Sequence, residues 1–192
     1  MQMNLESLKQ DILFETHLRG FHFTFCTTWG LFSPKGIDAG TRLLIEHLEV
    51  DERDMCLDLG CGYGPIGLVM AKLAPKGQTM LIDKDFIAVE YARKNAARNG
   101  LDNTETLLSN GFSHVPDLAL DVIASNLPAK AGKELLYLMM TESKRHLRKG
   151  GRCYVVTLSG LKPYIKRTFM EIFGNHKKLK QGKTHTVSLG MA

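Results

Sequence analysis

CLDLGCGYGPIG, residues 56–67, joins an apolar run to a cluster of glycines and a proline. The pattern predicts a buried strand that turns tightly into a helix, as in the first βα unit of a parallel sheet. Two glycine motifs overlap here: Gly60, Gly62 and Gly64 form G-x-G-x-G, and Gly62, Gly64 and Gly67 form G-x-G-x-x-G. Pro65 suits a first helical position, so Gly67 falls inside the first turn, where its missing side chain serves helix-to-strand packing. Gly60, Gly62 and Gly64 are then the loop that lets backbone approach a ligand.

The alternation continues outward. Strands are expected at 55–59, 79–83, 104–108, 122–125 and 154–158, and helices at 65–73, 85–99, 132–148 and 161–173. Asp85 can cap the second of these helices, and Asn99 with Gly100 forms its C-terminal stop. Upstream, GFHFTFCTTWG (20–30) alternates as a strand or hairpin, and 37–48 reads as an amphipathic helix capped by Asp38. Downstream, HKKLKQGKTHTVSLGMA (176–192) reads as a closing antiparallel hairpin. The 192 residues suit one structural domain, with an N-terminal extension (1–48) whose hairpin and helix cover the site and a ligand-binding core (49–192).

A hydrophobic share of 44% and a charged share of 23% exclude disordered and fibrous classes. No apolar run reaches the roughly 18 to 20 residues of a membrane helix, and the N-terminus has no signal-peptide core, so a cytoplasmic protein without a membrane partner is expected. Cys26, Cys56, Cys61 and Cys153 follow no metal or redox spacing and read as small buried hydrophobes; the seven histidines form no zinc pair. Net charge is +5, with Lys162, Lys166, Arg167, Lys177, Lys178, Lys180 and Lys183 opposed locally by Glu171 alone. That bias favours an RNA partner, although a solvated face would look similar.

Pattern does not choose between the two glycine motifs, but charge bears on the choice. Asp58 ends the strand just before the loop, where it would oppose a pyrophosphate by on the order of a few kcal/mol. It would instead attract the sulfonium and ammonium groups of S-adenosylmethionine. Asp83 ends the next strand and can accept both ribose hydroxyls of an adenosine; the alternative is a helix cap, for which Asp85 is better placed. Asn110 and Gly111, in SNGFS, lie on the same edge and either meet the adenine or form a plain turn.

In order and spacing, DLGCGYGPIGL, IDKDFIAVEYARKNAARNG, SNGFS and IASNLPAKAGKE resemble the class I S-adenosylmethionine-dependent methyltransferases. GLFSPKGIDAGTRLLIE is similar to a segment of their small-domain family, and the resemblance covers roughly residues 20 to 190. It implies a Rossmann-like α/β fold whose seven-stranded, mostly parallel sheet has its last strand antiparallel and helices on both faces. It also implies transfer of a methyl group to an exocyclic base nitrogen, often of guanine in ribosomal RNA.

The family motif at the fourth strand is N-P-P, and here it reads Asn126, Leu127, Pro128, followed by Ala129. The implied acceptors for the amine protons are the Asn126 side-chain oxygen and the Leu127 carbonyl. Leucine in place of proline adds an N–H that needs a partner, while Pro128 still restrains Leu127 toward extended backbone. Ala129 offers no stacking ring, so Phe32 or Trp29 is left to stack a base, unless those rings pack in the core. Asp38 either caps its helix, positions substrate or does both; Thr41, Lys130 and Lys133 lie near. The alternatives are methyl transfer to a protein glutamine amide or a small amine, and a protein that holds the cofactor without turnover. Oligomeric state is not readable from the chain.

Overall fold

The computed structural model describes residues 5–128 and 132–192. In chain order the elements are α1 (Leu5–Lys9), β1 (Ile12–Leu18), β2 (Phe21–Thr27), α2 (Ala39–His47), β3 (Met55–Leu59), α3 (Pro65–Leu73), β4 (Gln78–Asp83), α4 (Phe86–Arg98), β5 (Thr104–Leu108), β6 (Leu120–Asn126), α5 (Lys133–His146), β7 (Leu147–Leu158), α6 (Lys162–Phe173), β8 (Lys177–Gln181) and β9 (His185–Met191).

Seven strands pair in the order β5-β4-β3-β6-β7-β9-β8, with β9 running antiparallel to both neighbours and β3 to β7 parallel. This is the expected Rossmann-like sheet with a reversed last strand. One face buries the apolar sides of α2, α3 and α4, and the other buries α5 and α6. The parallel strands read as apolar runs because both their faces are covered.

The helix expected at 65–73 forms with those bounds, and the other expected helices are one to three residues longer than those formed, mainly because capping residues are not helical themselves. β7 is longer than expected, beginning at Leu147 where a register shift between Leu120 and Val122 admits the Gly150-Gly151 turn. β1 was not anticipated. It pairs with β2 as a separate hairpin, closed at Arg19 (φ 51°) and Gly20 (φ 82°). Positive φ at both central residues is the type I′ geometry that matches strand twist. Arg19 is held in it by its guanidinium, which donates to the carbonyls of Ile45 (3.1 Å) and Leu48 (2.6 Å) at the end of α2.

The hairpin docks on α4 behind the glycine loop, while the rest of the extension brings Phe32, Asp38 and Thr41 to the edge where the strands end. β1 takes one edge of β2, and two asparagines of α4 take the other. Asn95 accepts from the Cys26 N–H (2.7 Å) and donates to the Cys26 carbonyl (3.0 Å), while Asn99 does the same for Thr24 (3.0 and 2.9 Å). Residues i and i+4 of a helix rise about 6 Å, close to the roughly 6.7 Å between i and i+2 of a strand. The two amides therefore continue the ladder of β2 from the side of a helix.

Asn95 is fully buried and also donates to the Tyr63 carbonyl of the glycine loop (2.9 Å). Replacing it by alanine orphans three backbone groups, each costing about 1 to 3 kcal/mol when buried. Asn95→Ala should lower unfolding free energy by at least ~3 kcal/mol in urea titration, and Asn99→Ala, which is less buried, by clearly less.

Candidate active site

The register of the parallel strands brings their C-terminal ends to one edge: Asp58 lies level with Leu81 and Ala124, Asp83 with Leu108, and Asn126 with Val156. A cavity of about 900 Å³ opens there. Gly60, Gly62, Asp83, Asn110 and Gly111 line one half, and Asn126, Leu127, Pro128, Asp38, Thr41 and Phe32 line the other.

The glycine loop is pinned from below and beside. The N–H groups of Gly60 and Cys61 both donate to the Ile82 carbonyl (2.9 Å each), and that of Gly62 donates to Asp83 Oδ2 (2.9 Å). Gly62 has φ 55°, and the space where a side chain would stand is open, so its backbone faces the cavity directly. Behind the loop, the Tyr63 ring packs edge-on against Phe25 at 5.6 Å, and its hydroxyl donates to the Gly36 carbonyl (3.1 Å). The N-terminal hairpin thus props the loop. Gly67 packs as expected: a Cβ there would stand 2.5 Å from Leu81 Cγ.

Asp83 is half-buried, and its Oδ1 accepts the Asp85 N–H (3.0 Å). Each of its oxygens keeps a second lone pair for a diol. Asp85 caps α4, accepting from Ile87 N–H at 2.8 Å, so the two carboxylates divide the roles of ligand candidate and cap. Asn110 and Gly111 are set by Ser109, whose hydroxyl donates to the Gly111 carbonyl (2.7 Å).

Asp58 departs from the expectation that its charge faces the cofactor. The carboxylate is fully buried beneath the loop, does not line the cavity, and accepts the Gly67 N–H at 2.7 Å through Oδ2. Its Oδ1 has no partner among the described residues. Burial pushes its pKa up to about 7, against the lowering by the Gly67 N–H, with the Asp83 charge adding to the rise. A shielded, partly neutral acid does not oppose a pyrophosphate as an exposed one would. The charge argument against a dinucleotide therefore loses its force, and Asp58 reads as the internal cap of α3. Gly64 also lies behind the lining; it is the N-cap of that helix, with φ 99°.

In the other half, Asn126 Nδ2 donates to Thr41 Oγ1 (2.9 Å) and lies 3.4 Å from Asp38 Oδ1. The amide is thereby oriented, and its Oδ1 accepts nothing among the described residues. Asp38 caps α2, accepting from Gly40 N–H (2.9 Å) and Thr41 N–H (3.1 Å), and it also lines the cavity. The added Leu127 N–H has a partner, the Val156 carbonyl at 3.1 Å, and the leucine side chain is buried. Phe32 is 69% exposed at the cavity mouth; Trp29 is 65% exposed and does not line it, so neither ring is core. Lys133 starts α5 away from the lining, and Ala129 and Lys130 lie outside the described residues.

Several lining residues were not singled out in the sequence. Leu135, Leu138, Met139 and Glu142 form one face of α5, and Leu158 and His185 come from the paired ends of β7 and β9. For His185 a signal existed at Gly40, a glycine inside a helix. A Cβ there would stand 2.8 Å from the His185 ring, so the glycine makes room for it. All four cysteines are free and buried, and burial raises their thiols. Among the described residues no cluster of three or more His, Cys, Asp or Glu could hold a metal ion, and no helix is long and apolar enough to cross a membrane.

A family model described as the methyltransferase small domain matches residues 22–188. The chain is 37% identical to the uncharacterized protein YbxB of Bacillus subtilis, over 80% of this chain and 76% of that protein. It is 36% identical to ribosomal RNA small subunit methyltransferase C of Cronobacter sakazakii, over 82% of this chain and 46% of that one. The structure of a T. thermophilus 16S rRNA N2 G1207 methyltransferase in complex with AdoMet and guanosine superposes with a TM-score of 0.85 at 25% identity, over 94% of this chain and 50% of that one. The chain thus spans about half the length of these ribosomal RNA methyltransferases.

The raised pKa of Asp58 makes the stability of the fold depend on pH. Between the ordinary carboxylate value and about 7, the unfolded chain releases this proton while the folded one keeps it, so ionisation erodes stability as pH rises through that window. Asp58→Asn removes the effect. Chemical denaturation at pH 5 and pH 7 should show the variant gaining on the wild type by roughly 1 kcal/mol per pH unit; a constant difference would contradict it.

Proposed function

Because this chain belongs to the methyltransferase small domain family, we propose that it transfers a methyl group from S-adenosylmethionine to the exocyclic amine of guanine in ribosomal RNA. The observation that carries this reading is the orientation of Asn126. With Nδ2 committed to Thr41 and Asp38, its Oδ1 is the acceptor presented to the cavity.

The cofactor fits the first half of the cavity. Gly60 and Gly62 offer bare backbone, Asp83 offers two carboxylate oxygens to a ribose diol, and Asn110 and Gly111 bound the space for an adenine. When bound, the cofactor supplies a sulfonium methyl with an excellent leaving group. The chain's own task is then alignment. Asn126 Oδ1 and the Leu127 carbonyl accept the two amine protons, which raises electron density on the nitrogen and aims its lone pair. Leu127 serves as well as a proline because Val156 satisfies its N–H and Pro128 holds it extended.

Guanine is favoured by Asp38. Beside its amine, guanine carries a ring N–H that a carboxylate can accept, whereas adenine and cytosine carry a lone pair there, which a carboxylate repels. Asp38 stands next to Asn126 on the cavity wall, and the guanosine held by the T. thermophilus neighbour supports the same choice.

Tritium-methyl transfer to undermodified ribosomal RNA tests the reading. Asn126→Ala should lose label incorporation by on the order of 10²-fold or more while cofactor affinity by calorimetry stays within a few-fold; label found only in protein would sink the proposal. Leu127→Pro should keep turnover within about threefold and cost ~1 kcal/mol of stability, the bond to Val156. Asp38→Asn retains the helix cap, so its loss should fall on base choice: the rate ratio of guanine- to adenine-containing oligonucleotides should drop by about tenfold or more, as one good discriminating hydrogen bond is worth about 1 to 3 kcal/mol.

A further inference from the structure

Charge is distributed very unevenly over this fold. Of 25 basic and 20 acidic side chains, residues 159–192 hold seven and one, so the first 158 residues hold 18 and 19. The whole excess of positive charge therefore belongs to α6, β8, β9 and their turns.

The sheet order places β8 at the free edge, beyond β9. Lys177, Lys178 and Lys180 are exposed along it, and Lys183 is exposed in the turn to β9. Lys162, at the start of α6, donates to Gln181 at the end of β8 (3.3 Å), which joins the helix to the strand. Lys166 and Arg167 follow on α6, both exposed. Among the described residues none of these seven cations forms an ion pair. The strip also has a direction. Its upper end, Gln181 and Lys183, adjoins His185, which lines the cavity beside Leu158.

We infer that the β8 edge with the exposed side of α6 is the docking surface for the phosphate backbone of single-stranded RNA, which runs along about 16 Å of strand and delivers a base past His185 into the cavity. This rests on the RNA reading above for its occupant. Lysines on an edge strand also discourage strand-to-strand aggregation, but that role does not account for Lys162, Lys166 and Arg167 on the helix. Nor does it account for charge balance everywhere else. A backbone-tracking groove beside a base pocket is the arrangement by which single strands are held without sequence readout.

The test is fluorescence anisotropy with a labelled single-stranded RNA, comparing wild type with the triple variant Lys177→Gln, Lys178→Gln, Lys180→Gln. Affinity should fall tenfold or more at moderate salt, and the slope of log K against log salt should shrink by about 2, since each single-strand phosphate contact contributes about 0.7. Cofactor affinity should not change, which also reports that the variant is folded. The same three positions changed to Arg should bind as wild type. A control triple, Arg53→Gln, Lys94→Gln and Lys149→Gln, removes three exposed cations from other surfaces and should weaken binding less than twofold.

Equal losses in both glutamine triples, or no loss in the first, overturn the assignment. Binding and methyl transfer separate the two proposals. Wild type that binds RNA through these lysines but transfers no label leaves the surface standing and removes the methyl-transfer reading. Wild type that transfers label while the triple binds RNA undiminished removes the surface alone.

Discussion

A single buried amide joins the three parts of this molecule that must agree for a site to exist. Asn95 ties the Cys26 backbone of the hairpin and the Tyr63 carbonyl of the glycine loop to one position on α4. Without it, three backbone groups would be stranded in an apolar interior, a cost comparable to a large part of a domain's net stability. With it, the hairpin becomes a continuation of the core. Phe25 can then back the Tyr63 ring, and the loop presents Gly62 to the cavity from a fixed base.

The same economy of contacts appears where chemistry is expected. Asp38 accepts two N–H groups at the start of α2 and also stands beside the Asn126 amide, so the helix terminus and the loop after β6 share one carboxylate. Thr41, one turn into that helix, takes the stronger bond from Asn126. The orientation of Asn126 is therefore set by a segment more than 80 residues upstream. A leucine in the next position is tolerable because the neighbouring strand offers its N–H a carbonyl.

The sheet, its reversed final strand and the glycine loop were legible because they rest on local signals: apolar runs, a proline at a helix start, caps at Asp38 and Asp85. Asp83, Asn110 and Asn126 were legible for a related reason, since residues at strand ends in a parallel sheet share one edge whatever the details. What was not legible depended on packing between distant segments. β1 alternates in sequence, yet its partner is defined only by the Arg19-Gly20 turn and by Arg19 reaching the end of α2. The α5 face that lines the cavity reads as an ordinary amphipathic stripe. The placement of Asp58 was not legible because position along a strand does not reveal which way a side chain faces; it points under the loop, to Gly67, and does not line the cavity.

The burial of Asp58 sets how charge is arranged at the site. With Asp58 buried beneath the loop, the carboxylates that line the cavity are Asp83, Asp38 and Glu142. Apart from Lys84 in the lining, the excess of positive charge lies outside, on α6, β8 and the turn that follows. An anionic polymer approaching such a surface is attracted along the edge, whereas the wall beside Asn126 presents hydrogen-bond acceptors. The basic strip and the carboxylates of the cavity thus occupy different parts of one small domain.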